Sequence, residues 1–244
     1  MNVLPRIGQI RCSIFISQFI GFTPENFDTF RTLLMPEGVA TGVQVNGAVS
    51  PTPFYSQPQY GMPWSLSKNL QGQNDSEIIS FLPGKIDFVL NKTGDIQELV
   101  MPYISRCENG FQSIISKLKS VEVNRLAFCP LHSIKIDEKS PADLYWGNIL
   151  KRTSSNGIPC QNVEISYLLK NQERINGKDV SMNFLHQIKD GFHMINGQKD
   201  EDCILVVLDI NTATENNLKF SAEDQHSFWN KCFEWEMDLL NNIF

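Results

Sequence analysis

At 244 residues, 41% apolar and 20% charged, the chain suffices for one large domain or two small ones, with a core that needs no disulfide or metal staples. The net charge of −6 is uneven: residues 200–244 hold ten Asp or Glu against two Lys or Arg, so the remainder is slightly basic. No basic face is concentrated enough to neutralise phosphates, which argues against nucleic acid as a direct ligand.

No stretch reaches the roughly 18 apolar residues of a membrane span. The apolar stretch Cys12 to Phe22 is broken by Ser13, Ser17 and Gln18 and lacks a small-residue cleavage site, so no signal peptide is expected. The six cysteines, at 12, 107, 129, 160, 203 and 232, form no CxxC and sit mostly in apolar stretches. They read as reduced core residues of a cytoplasmic protein.

Ile10, Cys12, Ile14 and Ile16 alternate with Arg11, Ser13 and Phe15, the period of a half-buried strand near residues 7–16. Thr23 offers an N-cap with Pro24 behind it, and Phe27, Phe30 and Leu34 share a helical face, predicting a helix over about 24–35. Residues 39–76 read as one long loop, with Phe54, Tyr55, Tyr60 and Trp64 among prolines, Gly, Gln and Ser. Such a loop either pins its rings to its own core or offers them to a partner.

Glu77 to Asn91 reads as a hairpin turning at Pro83-Gly84. From Ile96 to Leu118 the apolar spacing is helical for more than six turns, with Pro102 expected to kink the helix or restart it. Two strands, Val121 to Phe128 and Ser133 to Asp137, then close a first module near residue 139. A short amphipathic piece with Leu144, Tyr145 and Ile149 leads into a hairpin of strands at 162–170 and 178–188, turned at Asn176-Gly177. CILVVLDIN, 203–211, reads as a buried central strand. Ser221 and Asp224 suggest a capping box for a closing helix striped by Phe228, Cys232, Trp235, Leu239 and Ile243.

The fold expected from these elements is α+β, with two modules at 1–139 and 140–244, each a mainly antiparallel sheet under a long amphipathic helix. One merged domain remains the variant.

FLPGKIDFVLN leading into a long helix, then NRLAFCPLHSIKI, then LVVLDINTAT running into an aromatic-ended helix resembles a sporadically distributed, functionally uncharacterised prokaryotic family of about this length. The resemblance implies a patchily inherited gene of the kind associated with defence or toxin–antitoxin loci; it transfers no catalytic residue.

Asp209 ends a strand in VVLDINT and resembles the haloacid-dehalogenase opening Asp-x-Asp-x-Thr, with Asn211 in place of the second acid and Thr212 one residue before the threonine position. The alternative is an aspartate that caps its own turn. Cys129 and His132 form a Cys-x-x-His pair at a strand end, a start for a zinc site or a thiolate–imidazole couple, or simply a strand-end Cys with a surface His. His186 and His193 flank KDG, across a turn in this reading. The acidic helix bearing Glu223, Asp224, Glu234, Glu236 and Asp238 could imitate nucleic acid or be a solvated face. No phosphate loop, nucleophile elbow or HExxH is present.

The sequence therefore points away from catalysis and from a cofactor or metal. It suggests a protein-binding accessory, sensor or inhibitory subunit, with a homo-oligomer left open and Phe54, Tyr55, Tyr60, Trp64, Trp229 and Trp235 as partner-binding residues. Two alternatives stand beside it. One is a metal-dependent hydrolase or nuclease at Asp209, with Asp137, Asp179 or Glu164 as second carboxylate. The other is a nucleic-acid mimic using the C-terminal helix.

Overall fold

The computed structural model describes residues 6–36, 60–70, 75–118, 120–135, 164–195 and 198–243. Phe54, Tyr55, Asp137, the piece with Leu144, Tyr145 and Ile149, and Cys160 lie outside these residues.

The expected first strand is present as β1, Arg6–Ile16, with Ile10, Cys12, Ile14 and Ile16 buried. Helix α1, Pro24–Leu34, starts where Thr23 Oγ1 accepts from the Asn26 N–H at 3.0 Å, with Pro24 at a position that needs no N–H of its own. The next stretch is not all loop, because Trp64–Asn69 forms β2. Strands β3, Ser76–Leu82, and β4, Lys85–Asp95, are the expected hairpin, with Gly84 at φ +67°. Proline before a positive-φ glycine is the type II solution.

Helix α2, Ile96–Lys117, is capped by Asp95, whose carboxylate accepts from Gln97 and Glu98. It passes Pro102 without a restart; that proline lies in the second turn, and the helix is held by the apolar face it buries. Gly110 lets α2 lie against β4, since a Cβ there would stand 2.5 Å from the Phe88 ring.

The two strands expected over 121–137 are one, β5, Val123–Lys135, with Pro130 inside it. Proline is rare in a central strand because it donates nothing to the ladder. Here the hydrogen-bonded register with the neighbouring strand β8, Gln198–Thr212, skips Cys129 and Pro130 and resumes at Leu131, whereas pairing with β1 continues past Pro130. Strands β6, Glu164–Ile175, and β7, Lys178–Ile195, form the second hairpin, with Asn176 at φ +46° and Gly177 at +81°.

Helix α3, Ala222–Ile243, opens with a reciprocal capping box. The Ser221 N–H donates to Asp224 Oδ2 at 2.7 Å, and the Asp224 N–H to Ser221 Oγ at 3.2 Å. Asp224 also takes Lys178 at 2.5 Å and the Asn176 amide at 3.0 Å, tying the helix start to the β6–β7 turn. Burial alone would raise its carboxyl, but Lys178, Ser221 and Asn176 together hold it below the ordinary aspartate range.

The eight strands among the described residues form one antiparallel sheet in the order β2-β3-β4-β1-β5-β8-β7-β6. The expected α+β class with antiparallel strands is present, but the halves share one sheet rather than carrying one each. The reason is the seam: β1 and β5 pair along their length, so neither half keeps an inner edge. Outward from that seam the order is β1, β4, β3, β2 on one side and β5, β8, β7, β6 on the other, each half running in the same sense.

The helices share one face. On it α1 meets Trp64 and Phe81 through Phe30, α2 meets Phe88 through Phe111, and α3 meets Phe111 through Trp229 and Phe184 through Trp235. Among the described residues no helix is long and apolar enough to cross a membrane.

Candidate functional site

Asp209 does not end its strand; it lies inside β8, opposite Leu185 of β7. Strand alternation puts it on the face away from the helices, together with Cys129 of β5, Arg11 of β1 and Asp87 of β4. Arg11 Nη2 donates to Cys129 Sγ at 3.0 Å; burial lowers the guanidinium's pKa, but Cys129 first, then Asp87 and Asp209, leave it raised. The Asn211 amide donates to Asp209 Oδ1 at 3.0 Å, while its oxygen accepts from Asn183 at 3.1 Å and Arg125 at 3.3 Å.

The dehalogenase resemblance does not hold: Asn211 replaces the second acid, the threonine position is Ala213, and the neighbouring Thr212 has another role. Its side chain faces the helices, fully buried, and accepts the Leu126 N–H at 3.0 Å. Asp179 stands opposite Arg174 near the β6–β7 turn and Glu164 at the far end of β6, so neither is a neighbour of Asp209 in the sheet. The carboxylate that shares Arg11 with it is Asp87. Among the described residues no group of three or more His, Cys, Asp or Glu could hold a metal ion.

Cys129 is buried and interior to β5, not at a strand end. Burial, then Asp209, push its thiol up to about 12 against the opposing pull of Arg11. A thiol so placed stays protonated at neutral pH. Iodoacetamide at pH 8 is therefore expected to leave Cys129 unmodified in the native protein and to modify it after unfolding, read by peptide mass mapping. Rapid native alkylation would contradict the burial and the raised pKa together.

His132 is no surface residue. It is fully buried on the helix face, with Nε2 2.7 Å from Glu236 Oε1 of α3, itself fully buried. The Cys-x-x-His spacing thus sends its two ends to opposite faces, as strand residues three apart must be. Glu236 also leaves the acidic surface, as does buried Asp224, so Glu223, Glu234 and Asp238 remain exposed on that helix. Nor do His186 and His193 flank a turn, since both belong to β7.

Of the expected partner-binding aromatics, Trp64 and Trp229 are fully buried and Tyr60 is 80% exposed. Trp64 stacks on Phe81 at 4.2 Å and donates its indole N–H to the Ile20 carbonyl at 2.9 Å. Trp235 is half-buried and stands edge-on to Phe184 at 5.1 Å, with Lys231 over its ring at 5.7 Å.

Trp235 forms one wall of a groove of about 440 Å³ between α3 and the outer strands of the sheet. Phe184, Leu208 and Ile210 floor it, Leu239 continues the helical wall, and Leu169 forms the lip at the edge strand. Lys170, Glu173 and Asp238 are its charged rim. His186 lines it too, its Nδ1 2.8 Å from the Tyr167 hydroxyl, and burial lowers its pKa, which favours the neutral ring at pH 7.

Leu168 and Leu169 are each 53% exposed, among the few large apolar side chains so open. Their signal in the sequence was an apolar pair amid the polar residues of β6, EISYLLKNQERI. No protein-family model matches the chain, and no curated protein matches it.

Proposed function

We propose that this chain is a non-catalytic protein-binding subunit that takes apolar side chains of a partner protein into the groove between α3 and β6–β8. The observation that carries this reading is the groove itself: an apolar floor with an aromatic wall and a charged rim, left half open beside an edge strand. Apolar centres with polar rims are the anatomy of protein interfaces, and Trp is the residue most enriched where they are strongest. The mixed signs of Lys170, Glu173 and Asp238 suit a partner segment that carries both charges around its apolar anchors. The matching strand order of the two halves supports a chain built on two copies of one plan, with the binding groove elaborated on the second. An accessory, sensor or inhibitory role in the cytoplasm, in a defence or toxin–antitoxin setting, accords with the resemblance noted above.

The test is a double variant, Leu169→Asp with Trp235→Ala, compared with the unaltered chain as bait under nuclease treatment. The expected result is a stoichiometric companion whose affinity falls at least about 30-fold in the variant, the scale of losing an aromatic anchor, with a melting temperature within about 5 °C. A companion held equally by both proteins would overturn the reading.

A further inference from the structure

The outer edge of β6 is the longest exposed strand edge in the sheet, and its composition is self-complementary. Along β6 only Ile175 is buried. The strand has no proline, and its pairing with β7 has no bulge. Proline and bulges are two of the devices with which natural edges discourage pairing; charge is a third, and β6 carries it with both signs, as Glu164, Lys170, Glu173 and Arg174, which a second copy can pair. The opposite edge, β2, is half as long and begins with three buried residues.

The Asn176-Gly177 turn makes Ile175 and Lys178 the flanking hydrogen-bonded pair of a two-residue hairpin. Odd-numbered residues of β6 therefore exchange backbone bonds with β7. Even-numbered residues from Glu164 to Arg174 aim their N–H and C=O groups outward. The Gln172 N–H accordingly donates at 2.9 Å to the side chain of Asn171 rather than to β7.

We propose that two copies of this chain join along this edge, antiparallel, about a two-fold axis at Leu169. Such an axis, normal to the sheet, keeps each residue on its own face, so opposed residues share parity. Centred on Leu169, the register sets Glu164 against Arg174 at both ends, Ser166 against Gln172, and Leu168 against the aliphatic stem of Lys170. On the helix face Leu169 meets its own copy. Centring on Lys170 would oppose the two ammoniums, and centring on Leu168 leaves Arg174 beyond the ladder. The Leu169 register uses the whole exposed strand and pairs opposite charges, which stabilises cross-strand neighbours. The groove lips then meet, and the two grooves become one trough lined by Leu169, Phe184 and Trp235 of each copy.

A strand-edge contact buries less than a standard interface, so the expected dissociation constant is about 1–100 μM. Sedimentation of the full chain across that range is expected to show a shift from one chain to two. Arg174→Glu is expected to weaken the dimer at least about tenfold, and the exchange Glu164→Arg with Arg174→Glu to restore it. Ser166→Pro removes an outward N–H that the second copy uses and that no partner among the described residues takes up, and is expected to give a monomer with an unchanged melt. A chain that stays monomeric at about 100 μM, or a dimer indifferent to both Ser166→Pro and Arg174→Glu, would overturn the proposal. The pairing does not depend on the groove's role: Ser166→Pro tests pairing while leaving the groove side chains in place, whereas Trp235→Ala alone, on α3 and off the strand edge, tests partner capture in monomer and dimer alike.

Discussion

Replacing Glu236 by Ala is expected to lower the free energy of unfolding by about 3–5 kcal/mol. The carboxylate and His132 face each other at 2.7 Å with both side chains fully out of water, beneath α3 and against β5. Burial raises the Glu236 carboxyl while His132 pulls it back down. Removing one partner leaves the other as a buried polar group with nothing to satisfy it. His132→Ala is expected to cost a similar amount for the same reason. The pair itself is a different matter, because taking two ionisable groups out of water offsets most of what they gain from each other. His132→Leu combined with Glu236→Leu is therefore expected to be neutral, or stabilising by about 1–4 kcal/mol. Urea unfolding at pH 7, with the denaturant slope checked for constancy, reads all of these variants. Single variants within about 1 kcal/mol of the parent would contradict the burial of the pair.

Trp64→Ala is expected to cost about 3–5 kcal/mol. The ring is the centre of an aromatic cluster: it stacks on Phe81, and Phe22, Phe27 and Phe30 approach it within 6.0–6.4 Å. Its N–H also satisfies the Ile20 carbonyl, so truncation leaves a cavity and an orphaned acceptor together. Trp64→Phe keeps part of the stack and is expected to lose about 1–2 kcal/mol, mainly through the unmade hydrogen bond. The same backbone is clamped nearby, where Gly21 passes Gly61 so closely that a Cβ would stand 2.9 Å from the Gly61 Cα. A melt unaffected by Trp64→Ala would return this residue to the binding role its loop context suggested.

The elements that read directly from the sequence are those specified by neighbours along the chain. Thr23-Pro24, Pro83-Gly84, Asn176-Gly177 and Ser221 with Asp224 each set a cap or a turn through bonds within a few residues. The period of β1 and the long stripe of α2 are local in the same sense. What sequence reasoning missed depends on residues far apart. Pairing of β1 with β5, and of β5 with β8, merges the halves into one sheet, and nothing in any single strand specifies its neighbour.

Pro130 lies in the gap between the two strands expected over 121–137, and a central strand ordinarily needs every N–H. Strand β5 runs on because its register with β8 lapses at Cys129 and Pro130 while its pairing with β1 continues.

The site was legible in the same uneven way. Trp235 was identifiable as an aromatic on an amphipathic helix, but not that Trp229, six positions earlier, turns wholly inward while Trp235 stays half open. Glu236 looked like part of a solvated acidic face because charge was read without the helical stripe Trp229, Cys232, Glu236 and Leu240, all of them buried. Asp209 and Cys129 do come together, yet the group that joins them is Arg11, which the alternation of β1 placed on a polar face without naming a partner. Leu169 carried the weakest signal, an apolar residue in a polar strand, whose meaning depends on α3 standing across from it.

The most direct measurement places a photo-activated benzophenone side chain at Asp238, on the groove rim, and separately at Tyr60, on the exposed turn before β2, and identifies the adducts formed in the protein's host. Adducts with a protein other than a second copy of this chain are expected from position 238 and not from position 60, and the double replacement of Leu169 and Trp235 is expected to abolish them. Adducts from position 60 alone, or from position 238 undiminished in the groove variant, would contradict a protein-binding groove between α3 and the outer strands.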